Sequence, residues 1–196
     1  MNRLPRLTLF TVCGLVAAAA IALVLYGTGA LSVHETGAGS APPSGTFKYL
    51  KSAENRALVP AVTFTDKDGA KVNLASFQGR LTVLNLWATW CGPCVTELPE
   101  LAKLKAALPP EKFAVVAVDL EKNDAAKVSA FLTAHQADAL DLYVDQKLAL
   151  MKAFTAYALP LTIIVDEHGH EWARAVGPEK WDSASAIAYV KSLAAK

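Results

Sequence analysis

The chain has 196 residues, 53% of them hydrophobic, with 19 Lys+Arg against 18 Asp+Glu and a formal charge of +1. That is enough for one domain of ordinary size with a full core and an appendage, and too little for two large domains. The charge is uneven: residues 1–30 hold Arg3 and Arg6 and no acid, leaving 17 basic against 18 acidic residues beyond them, and nothing in that balance marks a nucleic-acid-binding surface.

Leu7 to Tyr26 is a run without a charge, long enough at 1.5 Å per residue to cross a hydrocarbon core about 30 Å thick. Arg3 and Arg6 precede it, so the positive-inside rule leaves residues 1–6 in the cytoplasm and carries the rest across the membrane, to the periplasm or the exterior in a bacterium. A cleaved signal peptide is the alternative, with small residues at Thr28-Gly29-Ala30, but signal cores usually run about 7–15 apolar residues. Cys13 lies inside the run and reads as an apolar side chain. Residues 27–58 then read as a flexible linker, because Gly27, Gly29, Gly37, Gly39, Gly45 and Ala41-Pro42-Pro43-Ser44 cannot bury enough apolar area to order themselves. Within it, Phe47, Tyr49 and Leu50 could begin a short docking segment.

A domain is expected over 59–196. Val62–Thr65 and Lys71–Leu74 alternate apolar and polar residues around Asp66-Lys67-Asp68-Gly69, the pattern of a β-hairpin. Ala75–Gly79 is a turn or short helix, and Leu81–Trp87 a buried strand. Val95–Leu108 continues as a helix, with Leu98, Leu101, Leu104 and Leu108 at helical spacing and Pro99 expected to kink it. Phe113–Leu120 is a second apolar strand, Asn123-Asp124 caps a helix reaching His135, and Leu140–Asp145 and Lys147–Tyr157 give a further strand and helix. Leu161–Val165 opens a last hairpin that turns at Asp166–Gly169 and returns over His170–Val176. Asp182 or Ser183 caps a final helix to Ala194. Strands alternating with helices, closed by a hairpin and a helix, make a mixed α/β sandwich with helices on both faces.

Between the first buried strand and its helix stands Trp90-Cys91-Gly92-Pro93-Cys94. Two cysteines two residues apart at a helix start can close one disulfide, and the unpaired N–H groups there, worth about half a positive charge, favour a thiolate on Cys91. Thiolates are the attacking species, and in such settings the pKa drops from about 8.5 to roughly 3.5–7.5. Cys91 is therefore the expected nucleophile and Cys94, one turn inward, the resolving thiol. Half a zinc site or a pair of core cysteines are the other readings, but zinc needs a second ligand pair, and the remaining cysteine is Cys13. His34, His135, His168 and His170 have no cysteines at metal spacing, so neither a metal nor a cofactor is expected.

The segment Asn85-Leu86-Trp87-Ala88-Thr89-Trp90-Cys91-Gly92-Pro93-Cys94 resembles the active site of thioredoxin-like proteins, most of all the membrane-anchored TlpA/ResA group, with a match from about Val59 to the C-terminus. The resemblance implies a thioredoxin-like sandwich with a central mixed sheet and an N-terminal β-hairpin, preceded by one transmembrane helix. It also implies a cis Leu159–Pro160 bond against the cysteine pair, where backbone could hydrogen-bond an extended peptide. The family usually has Thr or Ser after that proline, whereas here Leu161 follows, then Thr162. ResA-type proteins carry a glutamate where Glu97 stands; an ordinary first-turn carboxylate is the alternative. Trp90, Gly92, Pro93 and Leu159 would form the rim that a substrate covers, with Trp87 in the core. Trp181, in Gly177-Pro178-Glu179-Lys180-Trp181, resembles a segment of rhizobial-type TlpA proteins.

The function implied is a periplasmic thiol:disulfide oxidoreductase, held in the inner membrane by a single pass, that reduces exported proteins. Its clients would be apocytochromes c, or copper-carrying oxidase subunits and their chaperones, and its electrons would come from a membrane dithiol donor of the DsbD or CcdA type. The alternatives are a disulfide oxidase or isomerase, and a thioredoxin-fold copper-site assembly factor. Gly-Pro between the cysteines, as in thioredoxin at about −270 mV, speaks for the reductant. A peroxidase is disfavoured, because those enzymes place the nucleophile in Thr-x-x-Cys and Cys91 follows Ala88-Thr89-Trp90.

Overall fold

The computed structural model describes residues 41–195; the expected anchor over 7–26, with Arg3, Arg6 and Cys13, and the first part of the linker lie outside the described residues. In chain order come β1 (Lys51–Ser52), β2 (Thr63–Asp66), β3 (Lys71–Asn73), a 3-10 turn (Leu74–Phe77), β4 (Leu81–Trp87) and α1 (Gly92–Ala107). They are followed by β5 (Phe113–Asp119), α2 (Ala125–Ala134), β6 (Tyr143–Val144), α3 (Ala149–Ala153), β7 (Leu161–Val165), β8 (Glu171–Val176) and α4 (Ala184–Ala194). Among the described residues no helix is long and apolar enough to cross a membrane.

The strands join in one mixed sheet of order β1-β8-β7-β4-β5-β6-β2-β3. β4, β5 and β6 are parallel, and the remaining pairs are antiparallel. β4 is central, paired with β5 from Leu81↔Phe113 to Trp87↔Asp119 and with β7 from Thr82↔Val165 to Leu86↔Leu161. Both faces of β4 and β5 are covered, which is why each reads as an almost unbroken apolar run rather than an alternation. Val83, Trp87, Val115 and Ala117 point to one face, under α1 (Leu98, Leu101), α2 (Val128, Leu132) and α4 (Val190, Leu193). Leu84, Leu86, Val116 and Val118 point to the other, under α3 (Leu150), the 3-10 turn (Phe77) and Phe64 of β2. The helices thus lie on both faces, three on one and the shortest on the other.

The expected hairpin forms as β2 and β3. Asp66 Oδ1 accepts from the N–H groups of Asp68 and Ala70, and Gly69 takes the positive φ of 76° that the turn requires. Asp124 and Ser183 cap α2 and α4, accepting from Lys127 N–H and Ala186 N–H. Pro99 sits inside α1, which continues through it.

Three expectations are corrected. The strand expected over 140–145 shrinks to Tyr143–Val144, the two residues in register with Val118–Asp119 and with the end of β2. Asp145 turns instead into the next element, accepting from Lys147 N–H (3.2 Å) and Leu150 N–H (2.7 Å). The helix expected over 147–157 shrinks to α3, bounded by left-handed Leu148 (φ 54°) and Thr155 (φ 52°), where the 2.8 Å bond from Ala156 N–H to Met151 C=O closes it. The linker expected to reach residue 58 is docked well before that. β1 pairs with β8, Ala53 N–H donates to Trp172 C=O, Glu171 N–H to Ala57 C=O, and Val59 N–H to Gly169 C=O. Apolar Phe47, Tyr49 and Leu50 supply the burial that its glycine-rich beginning lacks.

Candidate active site

β4 ends at Trp87, and Ala88-Thr89-Trp90 carries the chain out of the sheet to Cys91, the N-cap of α1. Cys91 Sγ accepts from Cys94 N–H at 3.3 Å, as a serine or aspartate cap would. Gly92 and Pro93 fill the first two helical positions, where the missing proline N–H has no intrahelical partner to lose. The two cysteines are joined in a disulfide with their Cα atoms 5.2 Å apart. Both are buried, Cys91 at 5% exposure and Cys94 at 1%, and Cys91 sits between exposed neighbours: Trp90 at 72% on one side, Gly92 and Pro93 on the other. Of the two sulfurs, that of Cys91 is the one flanked by an open rim.

The Leu159–Pro160 bond is cis. Because Leu86 pairs with Leu161, Pro160 lies beside the end of β4 from which the cysteine loop departs. Its carbonyl accepts from Gly177 N–H at 2.9 Å, and Leu159, partly buried, packs against both sides of the core. The departure at Leu161 has a simple outcome. Leu161 is buried on the α3 face, while Thr162 receives a 2.9 Å hydrogen bond from Asn85 Nδ2 on β4.

Glu97 is the sixth residue of α1 and is only 2% exposed, so the reading of it as an ordinary first-turn carboxylate is corrected. Its Oε1 accepts from Glu179 N–H at 3.2 Å and from the Trp181 indole, and its Oε2 from Asn85 Nδ2 at 3.4 Å. Burial pushes the carboxyl up to about 8 despite these donors, with the neighbouring Glu100 adding to the rise. Glu97 stands one helical turn beyond Cys94 on the same helix and lines a cleft of about 550 Å³ with Pro93, Thr96, Phe47 and Lys48. Trp181 is wholly buried, and its segment is the support of this carboxyl. The polar members Asn85 and Thr162 had one local signal: each interrupts a fully buried apolar strand. Glu179 had none.

A second buried carboxyl, Asp119, ends β5 level with Trp87. Burial raises it to about 6, with the adjoining Glu121 carboxyl contributing, and Asn123 Nδ2 donates to it at 3.1 Å. Glu121 in turn accepts from Thr89 N–H at 2.5 Å, which holds the loop before Cys91. Trp87 is buried and stacks on Phe131 at 5.7 Å. His168 and His170 lie on the last hairpin near Glu167 and Asp166 (3.5 and 3.6 Å), away from any cysteine pair in sequence. Among the described residues no group of His, Cys, Asp and Glu could hold a metal ion.

The family profile described as Redoxin matches residues 53–190. The thiol-disulfide oxidoreductase ResA of Bacillus cereus is 27% identical over 125 residues, which cover 64% of this chain and 71% of that protein. The sporulation thiol-disulfide oxidoreductase A of Bacillus subtilis is 27% identical over 131 residues, 65% of this chain and 78% of that protein. In three dimensions the described fold is similar to StoA from Bacillus subtilis (TM-score 0.55, 23% identity, 67% of this chain and 98% of that one). It is similar too to the thioredoxin domain of a thiol-disulfide oxidoreductase from Bacteroides vulgatus (TM-score 0.61, 20% identity, 72% and 98%). The fold is thus the thioredoxin-like one.

Proposed function

Since the chain belongs to the Redoxin family and is a thiol-disulfide oxidoreductase of the ResA and StoA type, we propose that it is the reductant of disulfides in exported proteins. The observation that carries this is Cys91 at the N-cap of α1, with the uncharged pair Gly92-Pro93 between it and Cys94. In the reduced protein the Cys91 thiolate attacks one sulfur of a client disulfide, forming a mixed disulfide and expelling the other client sulfur as thiolate. The Cys94 thiol then gives up its proton, attacks Cys91 Sγ and releases the second client thiolate. Two electrons have passed to the client, and the Cys91–Cys94 disulfide is closed. Glu97 takes the Cys94 proton in its carboxylate form, the minor form near pH 7 because burial holds the carboxyl at about 8, so this step should quicken as pH rises through that value. Trp90, Gly92 and Pro93 form the exposed platform for the client, and the cis Leu159–Pro160 backbone bonds its extended chain.

Residues 7–26 anchor the domain in the inner membrane with its catalytic part in the periplasm. Resistance to extraction by alkaline washing tests that placement, and recovery of the whole protein in the soluble periplasmic fraction would refute it. Apocytochromes c and copper-carrying oxidase subunits or their chaperones are clients, and a membrane dithiol donor of the DsbD or CcdA type reopens the disulfide. The direction is tested by equilibrating the protein with glutathione and measuring the oxidised fraction. A potential near thioredoxin's, about −270 mV, supports the reductase; one above about −180 mV would make it an oxidase or isomerase.

A further inference from the structure

The arm that leads into the domain reaches the chemistry from two directions. Phe47 packs its ring against Trp181 at 5.4 Å and Tyr189 at 5.5 Å, and Lys51 and Ser52 pair antiparallel with β8. The buried Glu179 carboxylate accepts the main-chain N–H groups of Lys48 (2.8 Å), Tyr49 and Leu50 (2.8 Å). Hydrogen bonds to a charged acceptor are about twice as strong as neutral ones, so three of them on consecutive residues make a firm clamp. Glu179 then hands that grip on, because its own N–H donates to Glu97 Oε1, and the indole that Phe47 covers donates to the same oxygen. From the other direction the Tyr49 ring lies over Gly177 so closely that a Cβ there would meet it at 2.9 Å. Gly177 N–H in turn donates to the Pro160 carbonyl.

We propose that residues 47–52 are a positioning element of the active site: clamped by Glu179, they keep the Glu97 carboxyl out of water and aimed, so that seating or releasing the arm changes proton transfer to and from Cys94. This rests on the role of Glu97 given above. Phe47 and Lys48 line the same cleft as Glu97, so lifting the arm admits water to that wall. Burial is the largest cause of the raised Glu97 value, and hydration therefore lowers it. The charged groups around Glu97 are Glu100 on α1, Glu179 and Lys180 before α4, and Lys48 on the arm; neutral Asn85 faces it from the sheet and is itself bonded to Thr162. Lys180 is held by Glu100 at 2.6 Å, and loss of Lys48 would act upward, against the larger effect of hydration. An arm that served only to cover the edge of β8 would leave Glu97 untouched.

The test uses the full chain, as Phe47→Ala, Glu179→Ala and Glu97→Gln. Glu97 ionisation is followed by carboxyl-carbon NMR in the oxidised protein, where neither cysteine titrates, and the pH profile of client reduction is measured alongside. Phe47→Ala and Glu179→Ala should each move the Glu97 midpoint down by about one pH unit, tenfold in proton affinity, and move the corresponding limb of the rate profile with it. Phe47→Ala leaves every hydrogen-bonding partner of Glu97 in place and is the variant to read if Glu179→Ala does not fold. An unmoved carboxyl signal in a folded variant overturns the proposal, as does a moved signal with an unmoved rate profile. If instead Glu97→Gln leaves the rate profile unchanged, the acid–base role of Glu97 itself fails, and the NMR arm still reports whether the segment shields it.

Discussion

Replacing Glu97 by glutamine should make the oxidised protein more stable, and by an amount that depends on pH in a specified way. In the unfolded chain the carboxyl has its ordinary value of 4.5, and in the fold it stands at about 8 because it is buried. A raised folded value means that the group's contribution to stability is complete below 4.5 and is lost as pH rises through about 8. Each pH unit in that window removes about 1.36 kcal/mol, so the loss reaches about 3 kcal/mol at pH 7 and about 5 kcal/mol on the plateau above. Glutamine carries no proton equilibrium and keeps the geometry. Its oxygen can accept from Glu179 N–H and the Trp181 indole, while its amide nitrogen faces Asn85, whose own amide can turn to present an oxygen to it and to Thr162. The assay is urea denaturation of both oxidised proteins at pH 4, 7 and 9, each referred to its own slope. The variant should match the unchanged protein at pH 4, exceed it by about 3 kcal/mol at pH 7 and exceed it further at pH 9. Parallel curves, or a variant that is weaker at pH 7, would refute the reasoning that burial, rather than its donors, governs this carboxyl.

Cys94→Ser should leave Cys91 held in mixed disulfides with clients, visible as adducts on non-reducing gels, whereas Cys91→Ser should trap nothing; the opposite pattern inverts the two roles. Asp119→Asn should raise stability at pH 7 by up to about 3 kcal/mol, less whatever solvent screening removes, since burial lifts this carboxyl from 3.8 to about 6 and its contribution is lost as pH rises through that value. The difference should vanish below pH 3.8, and a chemical-denaturation series across pH measures it. Gly177→Ala should cost about 1–3 kcal/mol in thermal or urea unfolding, because the residue has a φ of 126° and its new Cβ would press on the Tyr49 ring. An unchanged midpoint would mean that the arm yields there freely.

What could be read from the chain in advance was what local pattern encodes. Leu81–Trp87 and Phe113–Asp119 announce themselves because strands covered on both faces carry apolar residues at nearly every position. Cys91 and Cys94 stand out because a strand-to-helix junction is where two cysteines can share a cap and a disulfide. The segments over 140–157 were harder, since their apolar residues are buried by neighbours distant in sequence while Asp145, Leu148 and Thr155 set the local backbone. The surroundings of Glu97 lay further from view. Its donors come from β4 and from the approach to α4, and Glu179 reaches back across 129 to 131 residues to the arm. The docking of Phe47, Tyr49 and Leu50 was legible from their apolar character within a glycine-rich stretch, whereas the partners that receive them, Glu179, Trp181 and Tyr189, were not.

The order of the sheet also bears on how the molecule resists association. An open sheet margin invites any extended chain to add a strand and begin a stack. Here β8, six residues long, would be such a margin, but β1 closes it with two residues and presents Lys51. The opposite margin is β3, three residues long and beginning at Lys71. Short, lysine-bearing borders at both sides make the addition of a further strand, and so lateral growth into a stack, unfavourable.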